Sequence, residues 1–307
     1  MSAPQARACH RHALATDRTG QPRQGHLHAQ HPLPQASAPP KPASNNHALS
    51  AAEQARILGC METLHTHWHL IAGVFLLAGW VKGVAGMGLP TIAMGLLGLW
   101  LPPAEAATLL ALPSLVTNVQ QAWGPETAPL LRRLWPLLAA VTLGTWLSAG
   151  VLTGADPSLV RAGLGALLAL YALLGLARRH WTMQARHEPW AGPLAGLATG
   201  LLSGATGVFV LPSLPYLTAL QLPRELLIRS LGWCFGVATL ALASALAWHG
   251  ALPRAAIAPS LWALLPTAIG MWLGAWVRNR ISAETFRRFF FTTLLVLGLQ
   301  GIGQALA

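Results

Sequence analysis

Beyond residue 69 this chain runs through long stretches that hold no Asp, Glu, Lys or Arg. They are Gly83–Ala104, Ala106–Pro125, Leu134–Leu152, Ala162–Ala177, Pro193–Pro223, Ser230–Pro253, Ala255–Val277 and Phe289–Ala307. A helix needs about 20 apolar residues to cross a bilayer. In lipid every backbone polar group must be satisfied internally, so only helices and closed barrels span. The strict alternation of short strands that a barrel needs is absent. The pattern predicts an all-α polytopic membrane protein with about eight hydrophobic segments. Composition agrees: charged residues are 9% of the chain, against ~25% in soluble domains, and mean hydropathy is +0.48.

Residues 1–60 are different. They are rich in Pro, Gln, Ala and His, with no helical or strand periodicity and no apolar core of a secretory signal. Two readings stand: a disordered tail, or a natural translation start at Met61. The domain that matters is then 61–307. The net charge of +11 would suggest nucleic acid in a soluble protein; in a membrane protein basic residues gather in cytoplasmic loops, so no nucleic-acid partner is expected. Cys9, Cys60 and Cys234 form no CxxC pair, which argues against a disulfide framework or zinc site. His65, His67 and His69 read as an interfacial flank with Trp68 rather than as metal ligands, and Cys234 as inert packing. No cofactor is implied. GxSxG, HExxH and the P-loop are absent, so the chain does not read as an enzyme.

Two apolar regions are too long for one span. His69–Leu101 would make a helix of ~50 Å, and it is interrupted by Gly83, Gly86, Gly88 and Pro90. Leu194–Leu220 is interrupted by Ser203-Gly204-Ala-Thr206-Gly207, then by Pro212 and Pro215. The interruptions are copies: Gly83-x-x-Gly86 aligns with Gly204-x-x-Gly207 at an offset of 121, and Pro102 with Pro223 at the same offset. Each half reads as an interrupted segment and then three helices, over about 70–177 and 193–305. If each interrupted segment folds back as a hairpin, eleven arginines fall on the side of the central loop and only Arg161 and Arg254 on the other. If each crosses once, the count is six against seven. The positive-inside rule selects hairpins. Each half then has three full spans, and the fold is two inverted repeats, each a broken-helix hairpin plus three transmembrane helices, a design used by transporters.

The residues also carry a likeness. FLLAGWVKGVAGMGLPTIAM (75–94), LPPAEAATLLALPSLVTNVQQ (101–121), the 144–176 stretch and AGLATGLLSGATGVFVLPSLPYLTALQLPRELL (195–227) together resemble the TauE/SafE sulfite exporter family, also called the toluene-sulfonate uptake permease family. The resemblance covers about 70–305. It implies a carrier of the bacterial inner membrane for sulfite, sulfonates or related organic anions. Many members have a richer glycine run than Gly86-Met87-Gly88, and the second copy, Gly207-Val-Phe-Val, is sparser still.

Lys82, the only lysine after residue 41, lies within an apolar segment just before the first break. A charge there is costly and marks function; an anion contact at the hairpin tip is favoured over a snorkelling lysine. Gly83, Gly86, Gly88, Gly204 and Gly207 free backbone amides that half-helix N-termini could aim at an anion. Close helix packing is the competing role for these glycines. Thr91, Ser203 and Thr206 would add hydroxyl donors. Asn118, Gln120 and Gln121 end an apolar helix, as pathway lining or as helix bridges. Arg224 and Arg229 are expected to set topology. The expected partners are a small anion and the lipid bilayer, with a homo-oligomer left open. The expected function is secondary transport by alternating access around a site between the two tips; a non-transporting scaffold or receptor is the alternative.

Overall fold

A computed structural model describes residues 68–177, 182–251, 257–278, 280 and 282–306. The readings of the tail 1–60, of His65 and His67, and of Arg178, Arg179 and Arg254 fall outside these residues. The described residues form helices and no strand. In the first half these are α1 (Trp68–Ala85), α2 (Leu89–Leu97), α3 (Pro103–Ala122), α4 (Thr127–Gly154) and α5 (Pro157–Leu176). A single 3-10 turn, Ala185–His187, precedes the second half: α6 (Glu188–Thr206), α7 (Ser213–Ala219), α8 (Arg224–Trp248), α9 (Ile257–Trp262), α10 (Leu264–Val277) and α11 (Ala283–Leu306). Among them α1, α4, α5, α8 and the α9–α10 stretch are long and apolar enough to cross a membrane. Three expected segments fall short of that measure for local reasons. Glu105, three amides and an internal proline lower α3; Glu188 and glycines lower α6; α11 opens on Glu284, Arg287 and Arg288.

Local chemistry sets the boundaries. Asp156 caps α5, accepting from the Ser158 amide at 2.7 Å, and Pro157 follows at the first helical position. That hydrogen bonding to Ser158 holds the exposed Asp156 carboxyl below its usual range. Pro113 sits inside α3 and has no amide, so the Leu109 carbonyl one turn back loses its partner. Ser260 of α9 donates to that carbonyl at 2.8 Å. α1 ends at Ala85 because Gly86 and Gly88 take φ of 77° and 102°, a region that side chains disfavour.

The two halves are interlocked. α1 lies against α10, α4 against α6, α3 against α8 and α5 against α11. The first two pairs are parallel: a Cβ on Gly79 would strike the Thr267 backbone, and one on Gly83 that of Met271 and Gly274. In the equivalent seam, Gly196, Gly200 and Gly204 face Leu137, Val141 and Thr145 in the same rising order. The other two pairs are antiparallel. Ser114 meets Thr239 while Ala122 meets Gly232; Gly165 meets Gly298 while Gly175 meets Phe291. α3 and α8 hold the same place in their halves, as do α5 and α11. A two-fold relation that pairs a helix with its own copy in antiparallel fashion must lie across the helix axes, so the repeats are inverted. A single crossing of each broken segment would have made α3 and α8 parallel. The second hairpin also closes visibly: the Met183 amide, just before α6, bonds the Ala219 carbonyl at the end of α7 at 2.8 Å.

One local expectation is corrected. Gly83 and Gly204 do not break helices; they lie inside α1 and α6. Their role in the fold is backbone approach, since a Cβ on Gly204 would sit 2.5 Å from the Thr145 carbonyl oxygen. The breaks are 86–88 and the longer 207–212. Leu143, Leu147, Leu170, Leu240 and Leu265 face outward, where lipid would cover them. Trp68, Trp123, Trp190 and Trp248 are exposed at helix ends, as in an aromatic belt.

Candidate functional site

Lys82 occupies the last turn of α1 and is 2% exposed. It lies roughly 21 Å along a helix that begins at Trp68. Its ammonium donates to Thr117 Oγ1 at 3.0 Å and to Asn118 Oδ1. Those are two of its three donors. Both acceptors are neutral, and among the described residues no carboxylate pairs with it.

The neighbours of Lys82 have their hydrogen bonds fixed by elimination. An ammonium only donates, so the Asn118 oxygen faces Lys82 and the Asn118 amide is left to donate to Ser114 Oγ at 3.2 Å. Thr239 Oγ1 donates to the Phe235 carbonyl at 2.7 Å, so it accepts from Ser114 Oγ at 3.2 Å. Donors therefore run one way, from Lys82 on α1 through Asn118 and Ser114 on α3 to Thr239 on α8. Thr117 likewise donates to the Pro113 carbonyl at 2.7 Å and accepts from the lysine. One ammonium donor is left over, and with its positive charge it suits an anion.

The first hairpin tip rests on aromatic rings. The Tyr171 hydroxyl meets Met87 Sδ at 3.9 Å, and Tyr171 packs edge-on against Phe291 with centroids 5.1 Å apart. Phe290 lies under Gly88. Arg278, at the end of α10, donates to the Gly83 carbonyl at 3.1 and 2.5 Å, tying the tip of one half to a helix of the other. After the tip, α2 begins with Pro90 at its second position and no side-chain cap. Thr91 is fully buried, and its hydroxyl has no hydrogen-bond partner, a state that costs about 1–3 kcal/mol.

The second tip is different. Ser203 stands where Lys82 stands in the first half, and it bonds Thr145 Oγ1 at 3.0 Å and the Gly200 carbonyl at 2.9 Å. Thr206 donates to the Leu202 carbonyl at 2.7 Å. Gly207 has a positive φ of 74° and touches Met94 of α2. A small void beside it is lined by Ala107, Leu110, Phe209, Leu242 and one hydroxyl, Thr239. The structure thus joins Lys82 and Asn118 directly and puts Gly86, Gly88 and Thr91 on the same hairpin; Ser203, Gly204, Thr206 and Gly207 belong to the other.

Other candidates have structural partners. Gln121 donates to the Ile228 carbonyl at 2.8 Å and Arg229 to the Pro125 carbonyl, both joining α3's end to α8. Gln120 and Arg224 are exposed. Sequence reasoning missed Ser114, Thr117, Thr239 and Arg278. A signal existed for the first two: Ser114, Thr117, Asn118 and Gln121 follow i, i+3, i+4, i+7, one polar stripe on an apolar helix. A cleft of about 210 Å³ lies apart from the lysine. It is lined by Tyr216, Gly192 and the Arg133–Glu188 pair, which bonds at 2.6 and 2.8 Å. Among the described residues no three His, Cys, Asp or Glu side chains gather as a metal site.

No curated protein and no solved structure matches this chain. The family model described as sulfite exporter TauE/SafE matches residues 71–301, which takes in both hairpins, the buried lysine and all four helix pairs. An integral membrane chain of interlocked, inverted halves thus belongs to the sulfite exporter TauE/SafE family, a family of anion-exporting membrane transporters.

Proposed function

We propose that this chain is a secondary transporter of the bacterial inner membrane that exports a small oxyanion, sulfite or an organosulfonate, by alternating access. The observation that carries the reading is Lys82, a cation buried among the helices with only neutral partners. Isolated buried charge is costly, and an anion beside it removes much of that cost. Asn118 and Thr117 hold the ammonium when no substrate is present. Backbone amides at the start of α2, those of Leu89 and Thr91, supply further donors, whereas the Gly86 amide is held by the Lys82 carbonyl at 2.7 Å. An inside-negative potential favours anion efflux by ~2.3 kcal/mol per charge per 100 mV, so export needs no second ion. Which face is cytoplasmic follows from the arginines: Arg132, Arg133, Arg186, Arg224 and Arg229 lie inside.

The test is flux in proteoliposomes, with sulfite, thiosulfate, sulfate, sulfoacetate and a carboxylate control. Saturable flux of one sulfur oxyanion, competed by its relatives, is expected. Lys82→Met should lower that flux at least about a hundredfold, the scale of losing a buried charge pair. The variant should unfold at the same or a higher temperature, because an unpaired charge has left the interior. Undiminished flux in Lys82→Met removes the lysine from the substrate path.

A further inference from the structure

The duplicated scaffold is symmetric, but its two tips are not chemically equivalent. Buried hydroxyls in this chain habitually donate to the carbonyl one turn back: Thr108, Thr117, Thr145, Thr199, Thr206, Ser213, Thr239 and Thr267 all do so. Thr91 does not, and its oxygen is the one buried hydroxyl without a partner among the described residues. The reason is local. Thr91 is the third residue of α2, and four residues back lies Met87, in the break ahead of the left-handed Gly88. The first internal bond of α2 is the Ile92 amide to the Gly88 carbonyl at 2.9 Å. The amides of Leu89 and Thr91 therefore have no carbonyl ahead of them in the helix. A Cβ in a helix tilts toward the N-terminus, so the Thr91 side chain leans toward those same amides. In the second half the position equivalent to Thr91 is Pro212, the tip is Val208-Phe209-Val210-Leu211, and Ser213 is satisfied by the Phe209 carbonyl at 2.9 Å.

We propose that the anion seat is one-sided: it lies at the start of α2 in the first hairpin, and the Thr91 hydroxyl is its neutral donor and specificity determinant. The inference rests on the anion-carrier reading above. The ligand class is an oxyanion with at least two acceptor oxygens, one for the Thr91 hydroxyl and the α2 amides and one turned toward the cationic side of the hairpin. The second tip, Val208-Phe209-Val210-Leu211, offers no side-chain donor.

The experiment is ligand-induced thermal stabilisation of the detergent-purified full chain, with sulfite and methanesulfonate as the probes. Wild type is compared with Thr91→Val, Thr91→Ser and Ser213→Ala. Thr91→Val keeps the shape and removes an unpartnered hydroxyl, so it folds. Its apparent Kd for the better probe should rise about tenfold, while Thr91→Ser stays near wild type and Ser213→Ala responds as wild type. An unchanged Kd in Thr91→Val, with the response still abolished by Lys82→Met, overturns the seat but leaves the carrier reading intact. A loss in Ser213→Ala equal to that in Thr91→Val overturns the one-sidedness. No response of the wild type to either probe overturns the anion reading, and this inference with it.

Discussion

Replacing Gly200 by alanine tests the interlock of the halves most directly. Gly200 lies in α6 where it crosses α4. A Cβ there would sit 2.8 Å from the Thr145 amide nitrogen and 2.9 Å from the Gly144 Cα, with the Val141 carbonyl oxygen nearer still. All three are backbone atoms, so no side chain can turn away. Ordinary contact begins near 3.4 Å, and the seam must open by the difference between 3.4 and 2.8 Å or more. A gap of that size forfeits a quarter or more of each dispersion contact along the seam, and overpacking of this kind costs about 1–3 kcal/mol. For a chain of this size that is a fall in Tm of roughly 2–10 °C. The control is Gly73→Ala in α1, where the added carbon meets nothing within 4 Å and alanine's better helix propensity should hold or raise stability by up to about 1 kcal/mol. Scanning fluorimetry of the two variants in one detergent reads the comparison, and the expected signs are opposite. If Gly200→Ala unfolds at or above the temperature of Gly73→Ala, the backbones do not approach at that seam and the parallel α4–α6 register is wrong.

Two further outcomes follow from the geometry. The hairpin of the second half returns to the face it left, so cysteines placed at Gln184 and Gln221 should both react with an impermeant maleimide from the same side of sealed vesicles; reaction from opposite sides would restore a single crossing. The Arg133–Glu188 pair is bidentate but partly exposed, with side chains 43% and 20% accessible. A double-mutant cycle should therefore give a coupling of no more than about 1 kcal/mol that weakens with added salt. A salt-independent coupling of several kcal/mol would mean that the pair is shut away from water.

The Lys82 site was half legible in the sequence. A lysine inside an apolar segment is conspicuous because its neighbours along the chain cannot compensate it. Asn118 and Thr117 were readable as part of a polar stripe, and the stripe pointed at something. What it pointed at was not readable: Thr239 lies 125 residues from Ser114, and Ser260 lies 151 residues from the Leu109 carbonyl that it repairs. Such pairs are made by helices meeting across the two halves, and no local pattern encodes the register of a meeting. The same holds for hydroxyls. Thr91, Ser203 and Thr206 look alike as letters, yet two are bonded within the fold and one is not.

By itself the sequence determined what depends on short-range chemistry. Uncharged stretches longer than a bilayer is thick demand helices, because lipid offers no partner to a backbone amide. Pairs of glycines and prolines at a shared spacing marked two interruptions and a duplication, and the bias of the arginines chose hairpins over single crossings. Tertiary structure alone decided which glycines interrupt and which permit approach. Gly86 and Gly88 turn the chain through a positive φ, while Gly83 stays helical and lets α10 come within contact of its backbone. Both uses need a residue without a side chain, so the letter is the same. The difference lies in what stands opposite, and that is fixed only when distant helices have packed.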